Sequence, residues 1–160
     1  MTEIKILIEG YARQIKEGWQ ASSTVVLVES KEKKIIADPG FDREKLLDAL
    51  NKENLRTSDI DFVFLSHGHI DHALLAGIFE NAKIVDALYV YQKNNILEHN
   101  GKIPGTDVKV IQTPGHKEEH CSLLVKTEKG TYAVAGDVFW WMENEKQELI
   151  SINRMVTQST

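Results

Sequence analysis

The chain of 160 residues contains one cysteine, Cys121, so no disulfide can close within it and a disulfide-built scaffold is excluded. Proline is scarce, with 3 residues, and no low-complexity segment, internal repeat or linker divides the chain. Residues 1–160 are therefore expected to form one domain around one core. No apolar run approaches the roughly 20 residues that a membrane-spanning helix needs. The first ten residues, MTEIKILIEG, carry an acid at position 3 and lack the long apolar stretch of a signal peptide. A cytoplasmic protein without membrane association is the expectation. Dense Lys/Arg blocks are missing too. With 19 Lys+Arg against 24 Asp+Glu the formal charge is −5, which gives no global attraction to nucleic acid or anionic lipid.

What is present is 42% hydrophobic residues, enough for a globular core. Residues 4–10, 24–30 and 34–40 are β-branched and apolar and read as strands, the last ended by Pro39 and Gly40. The polar stretch between the second and third predicts a hairpin. Asp42 is placed to cap a helix in which Leu46, Leu47 and Leu50 share one face. Residues 61–67 form a dense apolar strand of the kind buried on both faces. A helix is expected over 73–80, strands over 83–91 and 108–116 with a polar loop between them, and a hairpin over 120–139 turning at 128–130. The tail, 143–160, reads as polar, with a helix that frays. Mixed strands and few helices predict sheet layers covered by helices.

The strand 61–67 runs into SHGHIDH, Ser66 to His72. Neutral imidazole is the commonest protein metal ligand, and aspartate binds the same ions. In extended backbone His67 and His69 project to the same side, which suits two ligands of one ion. Gly68 between them lets the backbone approach closely. Asp71 and His72 follow at the start of a helix, a placement that suits ligands of a second ion. TPGH places His116 on a sharp turn at the end of an apolar strand. AGD places Asp137 after another. Taken singly, His116 is a turn histidine and Asp137 a turn or cap residue; their assignment to the site rests on the company they keep. Zinc fits this ligand set best, and iron or manganese also suits it.

These segments, HxHxDH, then TPGH, then GD, resemble the metallo-β-lactamase superfamily, and the wording around them (SHGHIDHALLAGIF, TPGHKEEHCSLLV, AVAGDVFW) is most similar to the subgroup called metallo-β-lactamase domain-containing protein 1. The resemblance implies an α/β fold, an αββα sandwich of two mixed sheets flanked by helices, with the site at one edge. It implies that His67, His69 and His116 hold one metal, that Asp71 and His72 hold a second, and that Asp137 bridges them. It also implies a zinc-dependent hydrolase in which a metal-bound hydroxide is the nucleophile and Asp71 orients it or passes its proton on. The bond cleaved is an ester, thioester or phosphodiester. Small-molecule esters and thioesters are favoured as substrates, and a nuclease acting on RNA or DNA is the alternative that an acidic chain disfavours.

The chain departs from the superfamily in one respect. The second metal site is usually completed by a further histidine near the C-terminus, and none follows His120. The sandwich is accordingly expected to lack its last strand or helix. Four resolutions are open: a weak or empty second site, a ligand from a partner subunit, His99 or His120 filling in, or a chain that is a fragment. An unfinished sheet edge invites a homo-oligomer. A metal-binding protein without turnover is the rival reading from another class. Among other residues, Cys121 alternates with Leu123 and Val125 and reads as a small core residue. Trp140 and Trp141 form either a pocket wall or packing. Asp38 reads as a turn residue, and the family position is a supporting one. His99 reads as a solvated loop residue, and His120 as a residue that holds a ligand in place or touches substrate. The stretch 10–24 is long for a hairpin loop, which makes Trp19, Ser22 to Thr24, Arg13 and Lys16 candidate substrate contacts.

Overall fold

The computed structural model describes residues 2–139. They begin with β1 (Thr2–Ile8), a small hairpin of β2 (Tyr11–Ile15) and β3 (Gly18–Ser22), and a second hairpin of β4 (Val25–Ser30) and β5 (Lys33–Ala37). Helix α1 (Arg43–Lys52) leads to β6 (Phe62–Phe64). The short helix α2 (Ile70–Ala73) continues as a 3-10 turn, Leu74–Ile78. Then come β7 (Lys83–Val85), β8 (Tyr89–Gln92) and β9 (Asn95–Glu98). Finally β10 (Lys109–Gln112), β11 (Cys121–Thr127) and β12 (Gly130–Val134) lead into a 3-10 turn, Gly136–Val138.

Seven strands form a mixed sheet in the order β1-β4-β5-β6-β7-β8-β9, with β6 parallel to both β5 and β7 and the other pairs antiparallel. Strands β10, β11 and β12 form a second, antiparallel sheet. Alternation along β4 explains how they stack. Val26 and Val28 face one way, into a core with Ile35, Phe62 and Phe64 of the large sheet and Cys121, Leu123 and Val125 of the small one. Val25 and Leu27 face the other way, against Ile36, Val63 and the α1 residues Leu46, Ala49 and Leu50. The centre of the large sheet, β4 to β6, is thus buried on both faces, as the dense apolar reading of 61–67 requires.

Helix α1 starts where Asp42 was expected to cap it: the carboxylate accepts the Lys45 N–H at 3.1 Å. Leu46 and Leu50 are buried, and Leu47 is only half-buried.

Four expectations are corrected. The stretch 83–91 is two strands, because Asp86 turns the chain by accepting the N–H groups of Leu88 and Tyr89 at 2.9 and 2.8 Å. The polar loop that follows holds β9, whose four side chains are all exposed and so show no alternation of apolar residues. The long connection 10–24 is itself the β2–β3 hairpin. The helix expected at 73–80 is mostly a 3-10 turn; Gly77 weakens the α-helical continuation. The sandwich is the expected one, although its smaller sheet is purely antiparallel, and among the described residues helices cover only the large sheet. Trp140, Trp141 and the tail 143–160 lie outside the described residues.

Packing of α1 yields a test. Leu50→Ala should cost about 2–5 kcal/mol in urea unfolding, as a buried leucine truncation does, and Leu47→Ala clearly less.

Candidate metal centre

Parallel strands end side by side, and here β5 and β6 deliver Asp38 and Ser66 to the same rim. Asp38 has a left-handed backbone (φ 49°), a conformation that aspartate tolerates better than most residues. It is 1% exposed. One carboxylate oxygen accepts the Ser66 N–H at 2.8 Å; the other accepts the Ser66 hydroxyl at 2.8 Å and His72 Nδ1–H at 3.0 Å. Across the rim, the Cys121 N–H donates to the Ser66 carbonyl at 2.9 Å, so Ser66 also ties the two sheets together.

These bonds orient two histidines. Ser66 has one hydroxyl proton, and the Asp38 carboxylate takes it. The 2.9 Å contact between Ser66 Oγ and His67 Nδ1 is then a bond donated by the ring. That leaves His67 Nε2 as a bare lone pair. His72, with its Nδ1 proton on Asp38, turns Nε2 toward Asp137, and in the metal-free chain that nitrogen carries a proton too.

His67 Nε2 lies 2.9 Å from His69 Nδ1, which lies 3.0 Å from His116 Nε2. With Asp137 these residues place four donor atoms within 4.8 Å of one another. Imidazole nitrogens converging on one point with a carboxylate beside them fit a divalent cation. Asp137 divides its oxygens. Oδ2 faces His67 and His116 at 3.8 and 3.4 Å, and Oδ1 faces His72 Nε2 at 3.2 Å. Asp71 Oδ2 also lies 3.8 Å from His72 Nε2. All six residues singled out in the sequence therefore meet: His67, His69, His116 and Asp137 as one tight group, His72 and Asp71 adjoining it. His67 and His72 form a buried floor, and His116 lies at the open side, its side chain 36% exposed.

Burial holds the His67 pKa down, to about 4, helped by the neighbouring His72. His72 is buried too, but the hydrogen bonds its ring donates to Asp137 and Asp38 outweigh burial and raise it to about 10. Burial would raise Asp137, yet its bond to His72 and the nearby histidines bring it below the usual carboxylate range. Burial pushes the Cys121 thiol up, in keeping with a core residue rather than a ligand.

Neither spare histidine offers a ligand atom. His99 donates from Nε2 to the Asp86 carbonyl at 3.0 Å and accepts the Gly101 N–H on Nδ1 at 3.1 Å, so it fastens a loop rather than standing in solvent. His120 has both nitrogens engaged within the protein. Ser23, a candidate substrate contact, is buried and donates its hydroxyl to the Asp38 carbonyl at 3.0 Å; Thr24 accepts the Gly10 N–H at 3.0 Å. Arg13 bonds Gln20 at 2.7 Å within the β2–β3 hairpin. Sequence reasoning missed Ser66 and undervalued Asp38. The signal available was a buried strand ending in Asp-Pro-Gly ahead of another ending in Ser-His.

Comparison with known proteins bears on the same region. The family model described as Metallo-beta-lactamase superfamily matches residues 18–110. A Xenopus laevis protein named metallo-beta-lactamase domain-containing protein 1 is 30% identical over 146 residues, 85% of this chain and 63% of that protein. An N-acyl homoserine lactonase from Bacillus thuringiensis is 30% identical over 125 residues, 68% of this chain and 50% of that protein. Among solved structures, a Thermotoga maritima protein assigned to the metallo-beta-lactamases superposes with a TM-score of 0.69 at 27% identity, covering 83% of this chain and 77% of that one. The chain thus spans between half and two thirds of the length of these two curated relatives.

The two buried histidines predict the pH dependence of the metal-free protein. His72, raised to about 10, gives stability that is full below its unfolded pKa of 6.5 and is lost as pH rises through 10. His67, lowered to about 4, is protonated more readily when unfolded, so stability also falls as pH drops from 6.5 to 4. Urea midpoints in the presence of chelator should peak near pH 6.5, and Asp38→Asn should flatten the alkaline limb.

Proposed function

The chain belongs to the metallo-beta-lactamase superfamily, and from that membership we propose that it is a zinc-dependent hydrolase of an ester or thioester. One observation carries the reading: the convergence of His67, His69, His116 and Asp137, with donor atoms within 4.8 Å of one another. In this reading those residues hold one ion. His72 and Asp71, with the second oxygen of Asp137, hold another, and Asp137 stands between the two. Imidazole with carboxylate favours zinc, and iron or manganese is the alternative. A bound dication supplies Lewis acidity and lowers the pKa of water from about 15.7 to near 7.

The chain's own residues do the rest. Asp38 and Ser66 hold His67 and His72 in the tautomers that aim Nε2 inward. His67 and His72 exclude water from behind, and substrate enters from the side of His116. Asp71, whose side chain is 23% exposed, accepts a proton on its carboxylate beside His72. The formal charge of −5 favours a small ester or thioester over a nucleic acid. Similarity to a lactonase, an enzyme named for a cyclic ester, supports the same class.

Elemental analysis of the purified protein tests the metals. About two per chain, falling toward one in His72→Ala, is expected. One or fewer, unchanged in that variant, would mean an incomplete second site and favour a metal-binding protein without turnover. On a panel of esters and thioesters, His69→Ala should lower turnover at least ~100-fold, the upper end of what losing even an outer-shell partner costs. Activity on RNA or DNA alone would favour the nuclease reading instead.

A further inference from the structure

We propose that His120 is a positioning residue: a neutral imidazole that fixes the Asp137 peptide and, through it, the carboxylate shared by the two halves of the centre. The inference rests on the reading that Asp137 holds metal.

His120 is fully buried, just ahead of β11. Its Nε2 accepts the Asp137 N–H at 3.2 Å. A ring nitrogen that accepts carries no proton, so the single ring proton sits on Nδ1. Nδ1 faces Thr113 Oγ1 at 2.9 Å, and that hydroxyl shares a hydrogen bond with Ser122 Oγ at 2.8 Å. The Thr113 N–H closes the ring of contacts by donating to the His120 carbonyl at 2.9 Å. The direction at the site end is fixed: His120 Nε2 accepts from the Asp137 amide, and Nδ1–H donates to Thr113.

The peptide at that end is held tightly. Gly136 has φ 51°, and a Cβ there would lie 2.5 Å from Ser66 Oγ and 2.8 Å from His120 Nε2. The 136–137 peptide therefore sits against both His120 and the serine that orients His67. An aspartate side chain has only two torsions, so the direction of its peptide largely decides where its oxygens lie. Here they must face His72 on one side and His116 on the other, at 3.2 and 3.4 Å. Such constellations need placing to within about 0.5 Å. His120 is not a ligand, because neither of its nitrogens is free. Its ring also packs against that of His67, with centroids 5.2 Å apart.

The test combines two readouts. In the metal-free protein, ¹⁵N NMR should show His120 as the Nδ1–H tautomer and the Asp137 amide protected from exchange. Chelator competition should show zinc affinity falling roughly 10- to 100-fold in His120→Leu, as for loss of an outer-shell partner. His120→Gln, whose side-chain oxygen can replace Nε2 as acceptor, should regain most of the affinity and the amide protection. Unchanged zinc affinity in folded His120→Leu would overturn the proposal, since a purely structural histidine would lower the melting temperature alone. Should that variant not fold, Thr113→Val against Thr113→Ser decides: valine should lose Asp137 protection and affinity, serine keep both, and equal behaviour overturns it. If the unmodified chain takes up no zinc, the metal reading fails separately, while an Nε2–H tautomer or an unprotected Asp137 amide would overturn this one.

Discussion

The buried carboxylate of Asp38 is the contact on which the centre depends. It stands at the end of β5, in a backbone conformation that most residues avoid, and receives a main-chain N–H, a hydroxyl and an imidazole. A buried charge left without partners is costly; removing one member of a buried pair typically costs about 3–5 kcal/mol. The turn that follows is laced to the histidine segment as well. The Gly40 N–H donates to the His72 carbonyl at 3.2 Å, and the Leu75 N–H donates to the Gly40 carbonyl at 3.1 Å. Asp38 through Gly40, the end of β6 and helix α2 are thereby one unit.

That unit works because the sheet beneath it cannot shift. β5 and β6 are buried on both faces, by the small sheet on one side and α1 on the other. Close-packed interiors resist displacement, so the strand ends are fixed points from which short loops aim side chains. The second sheet contributes His116 and Asp137 from beyond the ends of β10 and β12. Its register against the first is set at the site itself, by the bond from the Cys121 amide to the Ser66 carbonyl. The centre therefore draws its donors from both layers, and the sandwich has to form before the donors meet.

Electrostatics and geometry agree on the division of labour. Histidines on the floor are held in one orientation by hydroxyl and carboxylate partners on Nδ1, with Nε2 turned inward. Asp137 lies between the two halves and is drawn below the ordinary carboxylate range by His72 and the other histidines around it, against the opposing effect of burial. Its two oxygens are split between two groups of nitrogens, Oδ1 toward His72 and Oδ2 toward His67 and His116.

Much of this was legible in the residues alone. The period-two alternation of β4, the cap at Asp42, the spacing of His67, His69, Asp71 and His72, and the core placement of Cys121 are local patterns, and local patterns survive in a sequence. The resemblance to the superfamily likewise rests on short motifs. Other features were decided only by tertiary structure. β9 has no buried face and so left no periodic trace. The 83–91 run reads as continuous because an aspartate turn inside an apolar stretch looks like one polar residue. The roles of Asp38, Ser66 and His120 depend on partners 17 to 34 positions away, His120 on the Asp137 amide and His72 on Asp38. Sequence determined which donors the chain carries and in what order. Which nitrogen each histidine turns inward, and which histidines are spent on holding others in place, follow from hydrogen bonds that exist only once the two sheets have closed on each other.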